Sequence, residues 1–266
     1  MNEIQQLLPE VVEAVRAVGA RLAAARPAEP SPARTLPEAM ARFAALDGPA
    51  GEELRLRLGR LRPGAGQVGD ELEATVPAEG EWWICDPTDG AVQYLLGLPH
   101  WAVTATLVRD GRAVLAVVHA PQLGGSTYAA VLGGGAVLDG RRAAPADREL
   151  AVAVAGFGHP PLAAQDPVAL RRAGAALPAV LARVLAVRNL GPTALQVAQV
   201  GSGHLGLFWE YGPDAGNLLP GALIAAEAGA VVTDALGAPW TPAADSFLAA
   251  APGLHGDALK ALAGVG

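Results

Sequence analysis

Lysine and cysteine are nearly absent from this chain, and charge of either sign is sparse. Cys85 is the only cysteine, which excludes an intramolecular disulfide and fits a reducing compartment; its place in an apolar run suits a small core residue better than a nucleophile. Lys260 is the only lysine among 19 basic residues, and the net charge is −7, so the basic footprint of a nucleic-acid binder is missing. The arginines are scattered, and runs such as ELRLRLGRLR (53–62) read as the solvated face of a helix. No charge-free apolar run is long enough to span a bilayer, and NEIQQLLPEVVEAV near the amino terminus reads as an amphipathic helix and not as a signal peptide. These absences predict a cytoplasmic protein with no nucleic-acid or membrane partner. His100, His119 and His159 show no zinc spacing, Ser202 and His204 sit in no nucleophile elbow, and GGG at 133–135 lacks the strand-to-helix setting of a phosphate loop.

What is present is apolar material with two acidic motifs set in it. At 52% hydrophobic and 17% charged, the 266 residues can bury a large core, as one big domain or two closely packed halves. The stretch WWICDPTDG (82–90) ends an apolar run with two carboxylates, Asp86 and Asp89, three positions apart. Proline cannot donate to a sheet ladder, so the spacing predicts a strand that stops at Pro87 and a turn that carries both aspartates. Oxygen ligands on a turn suit Mg²⁺, which prefers carboxylates and keeps waters and substrate phosphate in its other positions. For an isolated DPTDG the competing reading is a turn whose aspartates bond only to local backbone. Later in the chain Asp214, preceded by Pro213, reads as the cap of a helix whose first turn holds Asn217.

The coarse pattern is helical first. Residues 3–25 place Ile4, Leu7, Leu8, Val11, Val12, Val15 and Val18 on one face, RPAEPSPAR (26–34) reads as a loop, and two more helices are predicted at about 36–46 and 50–61. The period then changes to two. Residues 101–121 form a hairpin turning at Asp110-Gly111, and 126–141 form another turning at Gly133 to Gly135, together giving an antiparallel sheet. From 151 strands and helices alternate: strands at 151–157, 185–190, 205–211, 230–234 and 246–251, and helices at about 165–182, 193–200, 214–229 and 253–263. The expected fold class is mixed α/β with sheets sandwiched between helix layers. Residues 1–150 would carry the first acidic motif and 151–266 the second, within one compact unit.

WWICDPTDGAVQYLLGLPHWAVTATLV and GNLLPGALIAAEAGAVVTDALGAPW (216–240), with GDE at 69–71 before them, resemble the two signatures of the inositol monophosphatase family of Mg²⁺-dependent phosphatases. The likeness spans nearly the whole chain. It implies an αβαβα layered sandwich, a homodimer, and hydrolysis of a phosphate monoester of a small polyol, sugar or nucleotide, with Mg²⁺, or Mn²⁺ in its stead, polarising the phosphate and activating a water. By position it implies that Asp70, Asp86, Thr88 through its carbonyl, Asp89 and Asn217 hold metal, with Asp70, Asp86 and Asp89 catalytic. It further implies that the backbone amides of Gly90 and Ala91 cradle phosphate, that Glu210 touches substrate, and that Asp47 stands at the site's edge. Several positions depart from the family pattern. Ala91 replaces a threonine whose hydroxyl orients water, Asp70 replaces a glutamate, Asn217 an aspartate, Gln93 an asparagine, and Leu36 an upstream lysine. If each of the three changes nearest the metal removed about 1.4 kcal/mol of transition-state stabilisation, turnover would fall about a thousandfold. A family member with a binding or scaffold role, or with a repurposed activity, is therefore the alternative.

Overall fold

A computed structural model of the chain describes residues 3–26, 32–68, 76–161 and 163–265. In chain order these form α1 (Glu3–Ala25), α2 (Leu36–Leu61), β1 (Gly66–Gln67), β2 (Glu81–Asp89), α3 (Ala91–Leu95), β3 (Ala102–Arg109), β4 (Arg112–Ala120), β5 (Ser126–Val131), β6 (Gly135–Leu138) and β7 (Arg141–Arg142). There follow β8 (Val154–Phe157), α4 (Pro167–Leu181), β9 (Ala186–Arg188), α5 (Thr193–Gly201), β10 (Leu207–Tyr211), α6 (Ala215–Ala228), β11 (Val231–Thr233), β12 (Ser246–Ala250) and α7 (Pro252–Leu262). No helix among the described residues is long and apolar enough to cross a membrane.

The first sheet runs in sequence order from β1 to β7, antiparallel throughout except for the parallel pair β1 and β2. The second has the order β11-β12-β10-β8-β9 and is mixed, with β8 parallel to both β9 and β10. Alternation along the strands divides the apolar residues between cores. On one face of the first sheet Val103, Ala105 and Leu107 of β3 pack with Val11, Val15, Val18 and Leu22 of α1 and Leu54 and Leu58 of α2. On the other face Ala102, Ala116 and Val118 meet Ala194, Leu195, Leu223 and Ile224 of α5 and α6. The same two helices cover one face of the second sheet through Val197, Leu218 and Phe247, and α4 and α7 cover its other face through Val180, Leu248 and Leu254. The order of layers is helix, sheet, helix, sheet, helix, as the sequence likeness implied.

Two local expectations are corrected. The helices expected at 36–46 and 50–61 are one helix, α2, which continues through Pro49. Proline in a helix interior forfeits one backbone bond, but burial of Ala50, Gly51, Leu54 and Leu58 immediately beyond it holds the second half in line with the first. The Thr35 hydroxyl, accepting from the Glu38 N–H at 3.3 Å, caps its start. The second correction is at Pro87, where β2 does not stop. The strand runs on to Asp89 across a register break: Asp86 faces Thr104 and Asp89 faces Ala102, so Pro87 and Thr88 together stand opposite Val103 alone. This is a β-bulge, where a residue without an N–H is tolerated because a ladder bond is already missing. The Asp110-Gly111 hairpin forms as expected, with both residues at positive φ (49° and 74°).

The central helix layer depends on glycine at close contacts. A Cβ on Gly221 of α6 would lie 2.6 Å from Cβ of Val197 and 2.8 Å from the Ala194 carbonyl of α5. Gly221→Ala is therefore expected to destabilise the protein by about 1–3 kcal/mol by forcing α5 and α6 apart. In thermal melts this corresponds to a drop of roughly 2–4 °C per kcal/mol at this size; an unchanged midpoint would contradict the tight helix contact.

Candidate active site

The bulge in β2 decides where its carboxylates point. Residues three apart on a regular strand face opposite ways, but cross-strand partners share a face, and Thr104 and Ala102 are two apart on β3. Asp86 and Asp89 therefore lie on the same face. Because Ala102 belongs to the core shared with α5 and α6, that face is the one turned to the central helices. The Thr88 N–H donates to Asp86 Oδ1 at 2.6 Å, the Asp86 N–H donates to Thr104 Oγ1 at 3.3 Å, and the Thr88 hydroxyl donates to Asp47. Asp47, from the middle of α2, is thus tied to the bulge itself.

Asp89, Glu210 and Asp214 come together here from three different elements, with Asp86 beside them on β2. Asp89 is 5% exposed; it accepts from the Ala194 N–H in the first turn of α5, while its Oδ2 has no hydrogen-bond donor. Burial, then the charges of Asp86 and Asp214, hold its carboxyl well above the usual carboxylate range. Glu210, on β10, is 1% exposed; the Thr193 hydroxyl donates to its Oε2 at 3.2 Å, and its Oε1 has no donor. Burial first, then Asp214, push its carboxyl well above the usual range. Asp214 is likewise raised by burial, although hydrogen bonds from Glu210 and Asn217 and the nearby His159 favour its ionised form. With all groups ionised, Glu210 Oε1 and Asp214 Oδ2 both lack donors. A proton on Glu210 resolves this, since Glu210 can then donate to Asp214.

The remaining expected residues divide. Gly90 sits at the N-cap of α3 with φ 91°, and an added Cβ would lie 3.1 Å from the His100 carbonyl, so only glycine fits there. Ala91 opens that five-residue helix and brings no hydroxyl. Asn217 lies in the first turn of α6, where its Nδ2 donates to Asp214 Oδ1 at 2.7 Å. Asp70 lies outside the described residues. Leu36, in the place of a basic residue, is an exposed first residue of α2. Sequence reading missed Thr193, the Ala194 N–H and Gly158. An alanine Cβ at Gly158 would stand 2.2 Å from Glu210 Oε2, so this glycine makes room for the carboxylate. Nothing in the local pattern FGHP signals that role, which comes from a strand distant in sequence.

Away from this cluster, Ser202 and His204 share a 2.7 Å hydrogen bond beyond α5, and His204 lines a cavity of about 240 Å³ together with His100, Tyr128 and Gln199. Ser202 is the helix C-cap, consistent with a turn role. A larger cavity of about 680 Å³ on α2, lined by Glu52, Arg55, Arg60 and Gln67, includes none of the clustered carboxylates.

The donor chemistry of the cluster fits a hard divalent cation. Among the described residues no three His, Cys, Asp or Glu side chains form a group that could hold a metal ion. Mg²⁺, however, is commonly bound by one or two carboxylates, its other positions filled by water and substrate phosphate. Asp86 and Asp89 supply such a pair, and the buried, donorless Oδ2 of Asp89 is an oxygen that a cation would satisfy.

Comparison with known proteins gives one consistent result. Residues 6–265 match the model of the inositol monophosphatase family. An inositol-1-monophosphatase of Rhizobium meliloti (strain 1021) is 36% identical over 190 residues, covering 69% of this chain and 68% of that protein. The solved structure of Mycobacterium tuberculosis SuhB superposes with a TM-score of 0.78 at 28% identity, over 100% of this chain and 98% of that one. The inositol monophosphatase of Anabaena (Nostoc) sp. PCC 7120 shares the fold, with a TM-score of 0.81 at 21% identity over 100% and 98% of the two chains.

The buried acid at 210 makes metal-free stability depend on pH. Glu210 keeps its proton to higher pH in the folded than in the unfolded chain, so its contribution is complete below about pH 4 and is lost as pH rises through the raised folded value. In metal-free protein Glu210→Gln, which stays neutral, is expected to match the parent near about pH 4 and to melt progressively higher than the parent towards about pH 8. A gap that stays constant across that range would mean Glu210 is not held protonated.

Proposed function

The chain belongs to the inositol monophosphatase family, and on that premise we propose that it hydrolyses phosphate monoesters of a small polyol, sugar or nucleotide with Mg²⁺, or Mn²⁺ in its stead, held at the bulge of β2. The observation that carries this reading is the placement of Asp86 and Asp89 on one inward face, with a buried Asp89 oxygen that has no donor.

In this assignment Asp86 and Asp89 hold metal, joined by the Thr88 carbonyl, by Asp70 and by the position of Asn217. Bound there, the cation supplies Lewis-acid polarisation of the phosphate and activation of a water. The chain's own residues do the rest. Thr88, anchored to Asp47, fixes the bulge between the two aspartates. The amides of Gly90 and Ala91 are donors for phosphate oxygens that no side-chain replacement removes. Glu210 presents its buried carboxyl to a substrate hydroxyl, while Thr193 and Gly158 hold it in place. Ala91 contributes no hydroxyl to orient water, and Asn217 contributes no full negative charge, so turnover is reduced but not abolished. The protein acts in the cytoplasm and as a homodimer, as its family likeness suggests.

The test is release of inorganic phosphate from a panel containing an inositol monophosphate, a sugar phosphate and a nucleoside monophosphate, with and without Mg²⁺ or Mn²⁺. The expected result is metal-dependent release that Asp86→Asn lowers by roughly a hundredfold or more, two or more multiples of about 1.4 kcal/mol. Release that ignores the metal, or that is equal in Asp86→Asn, would leave the fold with a binding or scaffold role.

A further inference from the structure

A second cavity stands apart from the acidic cluster and is built of different chemistry. It encloses about 240 Å³ between α5 and the turn from β4 to β5, and none of Asp86, Asp89, Glu210 or Asp214 lines it. The wall towards that cluster is shared. A Cβ on Gly90 would lie 3.1 Å from the carbonyl of His100, a lining residue, and Leu195, another, follows the Ala194 N–H that Asp89 accepts. Leu190 and Leu195 give the cavity an apolar side, while His100, Tyr128, Gln199 and His204 give it polar ones. Among the described residues no carboxylate, lysine or arginine lines it. Two of its groups call for a donor. Gln199 Oε1 is buried and accepts from no group of the protein, a state that buried amide oxygens ordinarily avoid. The Ser202 hydroxyl donates to the Gln199 carbonyl at 3.2 Å, so it meets His204 Nδ1, 2.7 Å away, as an acceptor. His204 then carries its proton on Nδ1, and its Nε2 is an acceptor.

We propose that this cavity binds a small neutral polyol or sugar, at a place separate from the acidic cluster. A hydroxyl donates to an acceptor such as Gln199 Oε1 or His204 Nε2 and still offers lone pairs to an imidazole N–H of His100. An ammonium ligand would find no carboxylate to pair with. An anion would find no lysine or arginine, and it would face the last turn of α5, where Gln199 sits at the negative end of the helix dipole. Leu190 and Leu195 suit the C–H face of a ring. The volume equals that of about eight waters at roughly 30 Å³ each, which suits one such ring and lies below the size of sites for drug-sized ligands. Such a site goes beyond the phosphatase reading and stands whether or not the acidic cluster turns over a substrate.

The experiment is calorimetric titration of the metal-free protein with myo-inositol, with glucose and with inorganic phosphate, for the parent, Gln199→Leu, His204→Phe and Glu210→Gln. Leucine keeps about the volume of glutamine and removes the donorless oxygen, so Gln199→Leu is expected to melt at or above the parent's midpoint. The expected result is saturable binding of at least one of the two polyhydroxylated probes, at least tenfold weaker in Gln199→Leu and in His204→Phe. Glu210→Gln, altered in the acidic cluster, is expected to bind within twofold of the parent. No saturable binding of either probe up to about 50 mM, well above the millimolar range that a ligand of this size supports, would overturn the proposal. Binding that both cavity variants leave within twofold of the parent would overturn it too, and loss of that binding in Glu210→Gln would place the probe at the acidic cluster instead. Binding of inorganic phosphate that Gln199→Leu weakens tenfold would overturn the choice of a neutral ligand. None of these outcomes bears on metal-dependent phosphate release, which tests the phosphatase reading by itself.

Discussion

Like charges buried together are the constraint around which this structure is arranged. Asp89, Glu210 and Asp214 come from a strand of one sheet, a strand of the other and the start of a helix between them. Each is withdrawn from water, and each has a carboxylate oxygen without a donor. Taking charges out of water costs several kcal/mol per group unless they are paired or neutralised, so the arrangement is costly to the empty protein. The fold tolerates it because large apolar cores lie on both sides of the central helix layer.

Small backbone irregularities translate the layered fold into that cluster. The bulge at Pro87 and Thr88 brings Asp86 and Asp89 onto one face, which a regular strand could not do. Gly158 vacates the volume that the Glu210 carboxylate fills, and Gly221 lets α5 approach α6 closely. Asp89 in turn receives the Ala194 N–H from the first turn of α5, an orphan donor of that helix whose N-cap, Pro192, has no side chain able to satisfy it. The carboxylate therefore serves the helix end as well as the site, and sheet and helix layers are joined through it.

The positions that depart from the family pattern look different in three dimensions than in one. Ala91 opens a short helix, AVQYL, that has no serine or threonine hydroxyl. Asn217 is not simply a weakened ligand, because its amide is engaged by the carboxylate of Asp214. Thr88 gives its hydroxyl to Asp47 and so binds α2 to the bulge.

Much of the architecture was legible beforehand. The helical face of α1, the Asp110-Gly111 hairpin and the alternation after residue 151 follow from local periodicity and turn chemistry, which act over a few residues. The first acidic motif placed Asp86 and Asp89 at the end of β2, and the family resemblance singled out Glu210, which lies on β10. Local pattern misled at Pro49 and Pro87, where proline signals a break that burial on α2 and a bulge on β2 override. The sequence by itself determined the succession of helices and strands through its periodicity and, through its resemblance to two family signatures, the layer order, the family and the kind of chemistry. Only the tertiary structure decided which carboxylates meet, that Asp214 turns inward instead of capping its helix, and that Gly158 makes room for Glu210. Those facts depend on side chains from elements far apart in the chain sharing a volume too small for alternatives, and no local rule carries that information.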